Sequence, residues 1–213
     1  MASWCAVVPV KRLDRAKSRL HLSETGLSDS RRPDLALAFA CDTVSAALAS
    51  CDHVVVITDD TRAGQVLTDL GAVVIADVPD AGINPALAHG FAFVQSHWPG
   101  SGTAAISADL ACLQADDLRH ACAAADAFAA PCFVSDSAGT GTTAFFSPAG
   151  TAFEPAFGHR SRSQHRAAGI QELAGPRLTT LHRDIDTAAD LWDAQRIGLG
   201  RHSLAVISPS TQQ

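Results

Sequence analysis

Short β-branched runs alternate with amphipathic stretches of ten or more residues through the first two thirds of the chain. The predicted strands are 5–10, 53–58, 72–76, 103–107 and 132–135. The predicted helices between them are 33–50, 61–70, 82–98 and 116–128. Strands that alternate with helices in this way form a mainly parallel sheet with both faces covered. The sequence therefore predicts a three-layer α/β/α fold.

The rhythm changes after residue 135. A run at 142–146 follows Gly139-Thr140-Gly141 too closely for a helical crossover, so it is predicted to be an antiparallel strand in a mixed, mainly parallel sheet. A helix at 161–173, a strand at 178–181 and a helix at 187–197 are expected next. We predict one domain over residues 1–200 and a loose C-terminal tail over 201–213.

Chain length, hydrophobic content and net charge narrow the class of protein. The 213 residues are 47% hydrophobic, which is ample for a core, and the net charge of -6 argues against a protein that coats nucleic acid. No apolar run approaches the roughly 20 residues that span a bilayer, so no membrane partner is expected. The first apolar run precedes its charges, which is the reverse of a secretory signal.

The six cysteines are never in CxxC or zinc-ligand spacing and mostly sit among alanines and β-branched residues. They are predicted to be reduced core residues of a cytoplasmic protein, with disulfides or zinc binding as the alternative.

A basic segment follows the first predicted strand. Five of the nine positions 11–19 are positively charged: Lys11, Arg12, Arg15, Lys17 and Arg19. In an acidic chain, such a loop at the end of a strand favours a site for a phosphorylated ligand. The alternative is a solvated connector, and the loop alone does not decide between the two.

Three carboxylates are predicted at the carboxyl ends of strands, where ligands of open α/β sheets gather. Asp109 follows the fourth strand, and Asp184 and Asp186 follow a late one, two residues apart and thus on one side of an extended segment. Clustered carboxylate oxygens favour Mg²⁺. The alternative is a helix cap, since Thr187 and Asp190 have capping-box spacing.

Two further segments are candidate anion sites. The run Gly139-Thr140-Gly141-Thr142-Thr143 offers backbone N–H groups and hydroxyls, or is simply a hairpin turn. Residues 157–166 carry arginines beside Ser161, which could cap a following helix, or they form a solvated basic surface. Asn84 is placed to cap the helix that Pro85 opens. His159 and His165 do not fit metal-ligand spacing.

Together these features favour phosphoryl or nucleotidyl transfer, which needs positioning and charge neutralisation more than a covalent nucleophile. Several of the same residues occur in order in a known family. They are Pro9-Val10-Lys11, Ala16-Lys17-Ser18-Arg19-Leu20, Gly82-Ile83-Asn84-Pro85-Ala86-Leu87, Asp109-Leu110, Gly139-Thr140-Gly141-Thr142, Phe157-Gly158 with Ser161 and His165, and Asp184-Ile185-Asp186-Thr187-Ala188-Ala189-Asp190-Leu191. Over about residues 5–200 the chain resembles the CofC/FbiD family of guanylyltransferases.

The resemblance implies a MobA-like nucleotidyltransferase domain over residues 1–200. It implies transfer of GMP from GTP to phosphoenolpyruvate, 2-phospho-L-lactate or 3-phospho-D-glycerate, in biosynthesis of the deazaflavin coenzyme F(420). Mg²⁺ would be held by Asp109, Asp184 and Asp186. The acceptor would be bound by Thr142, Gly158 and Ser161, and the nucleotide by Lys11, Lys17, Ser18, Arg19 and Asn84.

Of these, Lys11, Lys17, Arg19 and Asp109 are the expected catalytic residues. A homodimer, and hand-over of a labile product to a following enzyme, are further expectations. The alternatives are a MobA-like transferase with another nucleotide or acceptor, and a GTP-binding sensor without turnover.

Overall fold

The computed structural model describes residues 2–25, 27–78 and 80–208. Within these ranges the strands are Trp4–Pro9 (β1), His53–Ile57 (β2), Val73–Ile75 (β3), Gly102–Ile106 (β4), Cys132–Ser135 (β5), Thr142–Ser147 (β6) and Gln171–Glu172 (β7). They form one sheet in the order β3-β2-β1-β4-β6-β5-β7. β6 pairs antiparallel with β4 and β5, and the other pairings are parallel. The predicted mixed, mainly parallel sheet is therefore confirmed.

The helices are Arg32–Leu48 (α1), Thr61–Asp69 (α2), Ile83–His97 (α3), Ala115–Phe128 (α4), Ser161–Ala167 (α5), Ala188–Ile197 (α6) and Arg201–Ile207 (α7). Short 3₁₀ segments occupy Leu22–Thr25, Asp29–Arg31 and Pro176–His182. None of the helices in the described ranges combines the length and apolar character needed to cross a membrane.

Both faces of the sheet are buried. Ala6 and Val8 of β1 belong to one core with residues of α1, α2 and α4. Val7, between them, points to the opposite core, where Leu87 and Val94 of α3 pack. Alternate side chains of a strand point to opposite faces, so a strand between two helical layers must be apolar throughout. The predicted three layers are confirmed.

Gly90 sets how closely α3 approaches the sheet. A Cβ atom at this position would lie 2.6 Å from the Ile57 Cδ1 and Val7 Cγ1 atoms, which is far inside van der Waals contact. A residue without a side chain is therefore required where α3 crosses β1 and β2. This close packing fixes the position of the first turn of α3, which carries Asn84.

The six cysteines lie largely in the core, as predicted. Five of these residues are buried and Cys51 is half-buried. Burial raises the pKa values of the Cys5, Cys41, Cys112 and Cys132 thiols to about 11. These thiols therefore stay protonated at neutral pH, as expected of apolar core side chains.

Two predicted elements are wrong. The helix expected at 161–173 ends at Ala167, and the chain then turns at Gly169 (φ 75°) into the short strand β7. The strand expected at 178–181 is instead the 3₁₀ segment Pro176–His182. The Asp117 carboxylate accepts hydrogen bonds from the backbone and hydroxyl of Thr180 there, and these tertiary contacts override the strand-like sequence.

Two predicted helix caps are also wrong. Gly82 precedes the first turn of α3, so Asn84 lies inside the helix and caps nothing. Ser161 is the first residue of α5 and Arg160, with φ 54°, precedes it. Both side chains are consequently free for contacts with other segments.

The prediction of a loose C-terminal tail is also wrong. Residues Arg201–Ile207 form α7, which packs on α1, and residues 209–213 lie outside the described residues. The buried Asp42 carboxylate of α1 accepts hydrogen bonds from the N–H groups of His202 and Ser203, both at 2.9 Å, and from the Ser203 hydroxyl at 2.5 Å. A buried carboxylate on α1 and a serine far away in sequence satisfy each other, which no local pattern reveals.

We predict that Asp42→Ala lowers the free energy of unfolding by about 2–4 kcal/mol, because it leaves the first N–H groups of α7 and a buried hydroxyl without a partner. Urea denaturation measures the change. The control is Asp69→Ala at the exposed end of α2, which should change stability by less than about 0.5 kcal/mol. Equal stabilities of the two variants would contradict the docking of α7 through Asp42.

Candidate active site

The Lys17 ammonium joins the basic loop to two of the predicted carboxylates. It forms an ion pair with Asp109 and a second one, at 2.9 Å, with Asp186. Arg19 pairs with the other oxygen of Asp186. The loop and the acidic residues therefore meet at one edge of the sheet, as the sequence predicted.

The pKa values of Lys17 and Asp186 are shifted in the directions that keep both side chains charged. Burial alone would lower the pKa of Lys17, but the Asp109 and Asp186 carboxylates outweigh it and raise the pKa. For Asp186, burial raises the pKa, and the stronger combined attraction of Lys17, Arg19 and Lys11 lowers it. Opposite charges thus hold each other in the ionised form.

Buried leucines and an aspartate anchor the basic loop. Leu13 and Leu20 lie in the core, and the Leu13 N–H donates to the Asp60 carboxylate at 2.9 Å. Lys17 lies between these anchors with φ 54°, the left-handed conformation that non-glycine residues rarely adopt. The turn directs the Lys17 side chain inward, while Lys11, Ser18 and Arg19 stay exposed.

Asp109 lies just beyond the end of β4. The following N–H group, that of Leu110, donates to the buried Thr43 hydroxyl at 3.1 Å and so fixes the turn. One oxygen of Asp109 binds Lys17, and its other oxygen, Oδ1, is buried without a hydrogen-bond partner among the described residues. A buried carboxylate oxygen without a partner is costly, so this atom marks a place for a bound cation or water.

Asp184 and Asp186 follow the 3₁₀ segment Pro176–His182 and not a strand. That segment is attached to the sheet because the Thr143 hydroxyl donates to the Leu181 carbonyl at 2.5 Å, and His182 Nδ1 contacts the Ser135 carbonyl at 2.7 Å. The two carboxylates therefore reach the predicted edge by another route.

The pKa of Asp184 is raised to about 7, first by burial and then by the neighbouring carboxylates of Asp109, Asp186 and Asp136. Crowded carboxylates repel one another unless a proton or a cation lies among them.

The helix-cap alternative is correct for Thr187 and Asp190, and it leaves the Asp186 carboxylate available. The Thr187 hydroxyl accepts from the Asp190 N–H, and the Asp190 carboxylate accepts from the Thr187 N–H at 2.8 Å, so these two residues form the capping box of α6. The Asp186 carboxylate takes no part in the cap and faces the basic loop instead.

The three carboxylates suit a hard cation in their chemistry, since all offer oxygen ligands and Asp109 Oδ1 has no partner. In the described ranges, no group of three His, Cys, Asp or Glu residues is arranged to hold a metal ion. Lys17 lies between Asp109 and Asp186 in this structure. Binding of Mg²⁺ by this set would require the ammonium to move aside.

Two adjoining cavities open at this edge. The first, of about 250 Å³, is lined by the basic loop together with Asp109 and Asp186. The second, of about 310 Å³, shares Lys11, Arg15 and Ile83 with the first and extends toward Asp59 and Asp77 beyond β2 and β3. The first cavity lies where the strand order reverses between β1 and β4, the usual ligand position in such sheets.

Thr142, a predicted acceptor-binding residue, contacts a histidine on the helix that begins at Ser161, another such residue. The Thr142 Oγ1 atom lies 3.0 Å from His165 Nδ1, and Ser161 lies one turn before His165 on α5. Ser161 Oγ is fully buried without a hydrogen-bond partner among the described residues. Gly158 is exposed with φ 121°, a conformation that requires glycine.

The contacts of Asn84 differ from those expected of a nucleotide ligand. Its amide N–H donates to the Phe157 carbonyl at 3.0 Å, and its amide oxygen accepts from the Phe157 N–H at 2.8 Å. Asn84 thus holds the segment directly before Gly158 against α3. A nucleotide contact by Asn84 stays a prediction.

The glycine-rich run 139–143 is a hairpin turn between β5 and β6. The Asp136 carboxylate accepts from the Thr140 N–H at 2.8 Å and the Gly141 N–H at 2.7 Å. These N–H groups are therefore already satisfied, and the run is not the phosphate loop that its composition allowed. In the basic segment that follows, Arg162 and Arg166 pair with Glu172.

The sequence did not predict the contact of His165 with Thr142, the closure of the hairpin by Asp136, or the two hydrogen bonds between Asn84 and Phe157. His165 was excluded as a metal ligand, and no local pattern shows that its ring lies between Thr142 and residue 156. The Ser161 and His165 spacing of four, on one face of a helix, was the available signal.

The fold resembles that of known nucleotidyltransferases. The solved structure of a nucleotidyl transferase from Methanothermobacter thermautotroptrophicus superimposes with a TM-score of 0.61 at 17% identity, over 92% of this chain and 97% of that one. At this identity the likeness concerns the fold.

Sequence comparison is more specific. Residues 4–166 match the family described as guanylyl transferase CofC like. The chain is 48% identical to the phosphoenolpyruvate guanylyltransferase of Streptomyces coelicolor over 205 residues, covering 95% of both chains. It is 46% identical to the enzyme of that name from Thermomonospora curvata over 206 residues, covering 96% of this chain and 88% of the relative. The chain belongs to the CofC-like family of guanylyl transferases, and it is a nucleotidyltransferase.

We predict that the stability of the protein depends on pH through His165. Burial among phenylalanine rings lowers the pKa of His165 to about 4. The unfolded chain binds a proton near pH 6.5 and the folded chain does not, so the contribution is complete above pH 6.5 and is lost as pH falls to 4. The loss is on the order of 2–3 kcal/mol.

Urea denaturation between pH 7 and pH 4 measures this effect. His165→Gln removes the titrating group, so the stability of wild type relative to this variant should fall by on the order of 2–3 kcal/mol as pH falls from 7 to 4. The stability of wild type relative to His120→Gln, on the exposed side of α4, should not change with pH. Parallel profiles for wild type and His165→Gln would show that His165 does not bind its proton differently in the two states.

Proposed function

We propose that this chain transfers GMP from GTP to a small phosphorylated carboxylate and releases pyrophosphate, in biosynthesis of the deazaflavin coenzyme F(420). Phosphoenolpyruvate is the first candidate acceptor because the relatives bear its name, with 2-phospho-L-lactate and 3-phospho-D-glycerate as the others. The observation that carries the proposal is the cationic loop lying against Asp109 and Asp186 beside two cavities. We further propose that the protein acts in the cytoplasm.

The donor nucleotide fits the two adjoining cavities. Lys11, Lys17 and Arg19 on the first cavity would offset the charge of the triphosphate, and the Ser18 hydroxyl would donate a hydrogen bond to it. The second cavity, with the carboxylates of Asp59 and Asp77, would receive the nucleoside. Guanine presents N–H donors on its N1 and 2-amino groups, and carboxylate oxygens accept such donors. This matching of donors and acceptors supports GTP as the nucleotide.

Asp109, Asp184 and Asp186 would hold Mg²⁺, which when bound supplies positive charge to neutralise phosphate oxygens. Occupation of the site requires Lys17 to leave the two carboxylates. Lys17 would then be free to bind the triphosphate. It would pair with the carboxylates in the absence of nucleotide and with the triphosphate in its presence. The raised pKa of Lys17 keeps it charged in the absence of the nucleotide.

The acceptor would bind on the other side of the carboxylates. Thr142 and Ser161 offer hydroxyl groups, and Gly158 leaves its backbone accessible. An oxygen of the acceptor phosphate attacks the α-phosphorus of GTP, a new P–O bond forms, and the bond to the β-phosphate breaks. A phosphate monoester is largely ionised at neutral pH, so no side chain needs to remove a proton. Catalysis then consists of alignment and charge neutralisation.

The expected homodimer and the hand-over of a labile product stay predictions. The two functional alternatives give different outcomes in one assay. A transferase for another nucleotide would turn over a different nucleoside triphosphate, and a sensor would bind GTP without releasing pyrophosphate.

We predict that the purified protein, with GTP, Mg²⁺ and phosphoenolpyruvate, forms a guanosine diphosphate ester of the acceptor and equimolar pyrophosphate. Mass spectrometry of the products detects the ester. Parallel reactions with ATP, CTP and UTP, and with the two other acceptors, define the specificity. Binding of GTP without product from any of the three acceptors would contradict the proposed transfer.

We predict that Asp186→Ala reduces pyrophosphate release by at least about a hundredfold, because it removes a proposed metal ligand and a partner of Lys17. The matched control is Asp193→Ala on α6, whose carboxylate is exposed and pairs with Arg183 at 3.7 Å. This control should retain wild-type turnover. Near-wild-type pyrophosphate release by a folded Asp186→Ala variant would show that Asp186 is not a metal ligand that the reaction needs.

A further inference from the structure

His165 lies fully inside the protein, in apolar surroundings. Its ring is 1% exposed, and its centroid lies 4.9 Å from that of Phe133, 5.2 Å from that of Phe145 and 6.5 Å from that of Phe157. Burial lowers its pKa to about 4, so the imidazole is neutral at physiological pH. A neutral imidazole carries one proton, on one of two nitrogens, and its contacts determine which one.

The contacts of His165 fix this choice. The Ala156 backbone N–H points at Nε2 at 2.8 Å, and a backbone N–H can only donate. Nε2 must therefore accept and carry no proton. The proton lies on Nδ1, which is 3.0 Å from Thr142 Oγ1 and donates to it.

This tautomer determines the direction of the Thr142 hydroxyl proton. Because Oγ1 accepts from His165, its own proton cannot point toward Nδ1. No acceptor for that proton is found in the described part of the chain. Ser161, one helical turn before His165, has a fully buried hydroxyl that also lacks a partner there. Two hydroxyl groups close to His165 are thus left to donate to something else.

We propose that His165 is a positioning residue, which orients the Thr142 hydroxyl so that it donates to an oxygen of the anionic acceptor. This inference rests on the proposed function, since it takes Thr142 as an acceptor-binding residue. His165 does not touch the acceptor in this arrangement and acts through Thr142.

The same imidazole also holds the other side of the acceptor site. Through Nε2 it fixes Ala156, and Asn84 fixes Phe157 by two hydrogen bonds from α3. Gly158 follows directly and has no side chain of its own to anchor it. His165 therefore forms hydrogen bonds with both Thr142 and the segment before Gly158, two parts of the site that are distant in sequence.

Two substitutions separate these contacts. In His165→Asn the amide N–H₂ lies where Nδ1 was and can still donate to Thr142, but it does not reach Ala156. In His165→Gln the amide oxygen can reach the Ala156 N–H, and the bond to Thr142 is lost. Thermal unfolding of each variant shows whether it is folded.

We predict that His165→Gln raises the KM for phosphoenolpyruvate about tenfold and leaves the KM for GTP within about twofold, since an oriented hydrogen bond to an anion is lost. His165→Asn should stay within about threefold of wild type for both substrates. In a Thr142→Val background, which has no hydroxyl to orient, His165→Gln should cause no further rise. A purely structural role would change both KM values together and would persist in the Thr142→Val background.

The tautomer is tested without any variant or turnover. Nitrogen-15 NMR of the wild-type protein at pH 7 should show the His165 proton on Nδ1, and a proton on Nε2 would overturn the inference. The inference would also be overturned if the double variant Thr142→Val/His165→Gln raised the acceptor KM by the product of the two single-variant increases. Absence of product from wild type with every acceptor would instead refute the proposed function, so the two failures are distinguishable.

Discussion

The ion pairs of Lys17 with Asp109 and Asp186 are the contacts on which this edge of the sheet depends. They join segments 92 and 169 residues apart in the chain. Without a cation between them, the carboxylates of Asp109, Asp184 and Asp186 would repel one another at close range. Lys17 supplies that charge in this structure, and Asp184 remains the member whose pKa is raised, to about 7. The site is therefore organised before any ligand is bound.

The two halves of the proposed site use different physical means. The proposed nucleotide side relies on charge, from a basic loop anchored in the core by Leu13 and Leu20. The proposed acceptor side relies on neutral hydrogen-bonding groups held in place by buried side chains, with His165 contacting Thr142 and Asn84 binding Phe157. Charge suits a triphosphate that must bind and leave as pyrophosphate. Oriented hydroxyl groups suit discrimination among small acids of similar charge.

Much of the fold and part of the site could be predicted from sequence, for identifiable reasons. The buried strands are apolar runs, β6 follows β5 too closely for a crossover, and Asp109 lies just past a strand, so each is a local signal. The 3₁₀ segment Pro176–His182 could not be predicted, because it depends on the distant Asp117 carboxylate, which accepts the Thr180 N–H. The sequence left the run at 139–143 open between a hairpin turn and an anion site, and the Asp136 carboxylate closes it as a hairpin.

The sequence by itself determined the three-layer sheet, the cationic loop after β1 and the place of Asp109 just past a strand, because periodicity and position relative to strand ends are local properties. Only the tertiary structure decided that Lys17 lies between Asp109 and Asp186, that Asn84 binds Phe157 and not a helix end, and that His165 lies against Thr142. Hydrogen bonds and ion pairs between distant segments depend on distances of a few ångströms. Those distances are set by the packing of the whole chain and leave no periodic trace in the sequence.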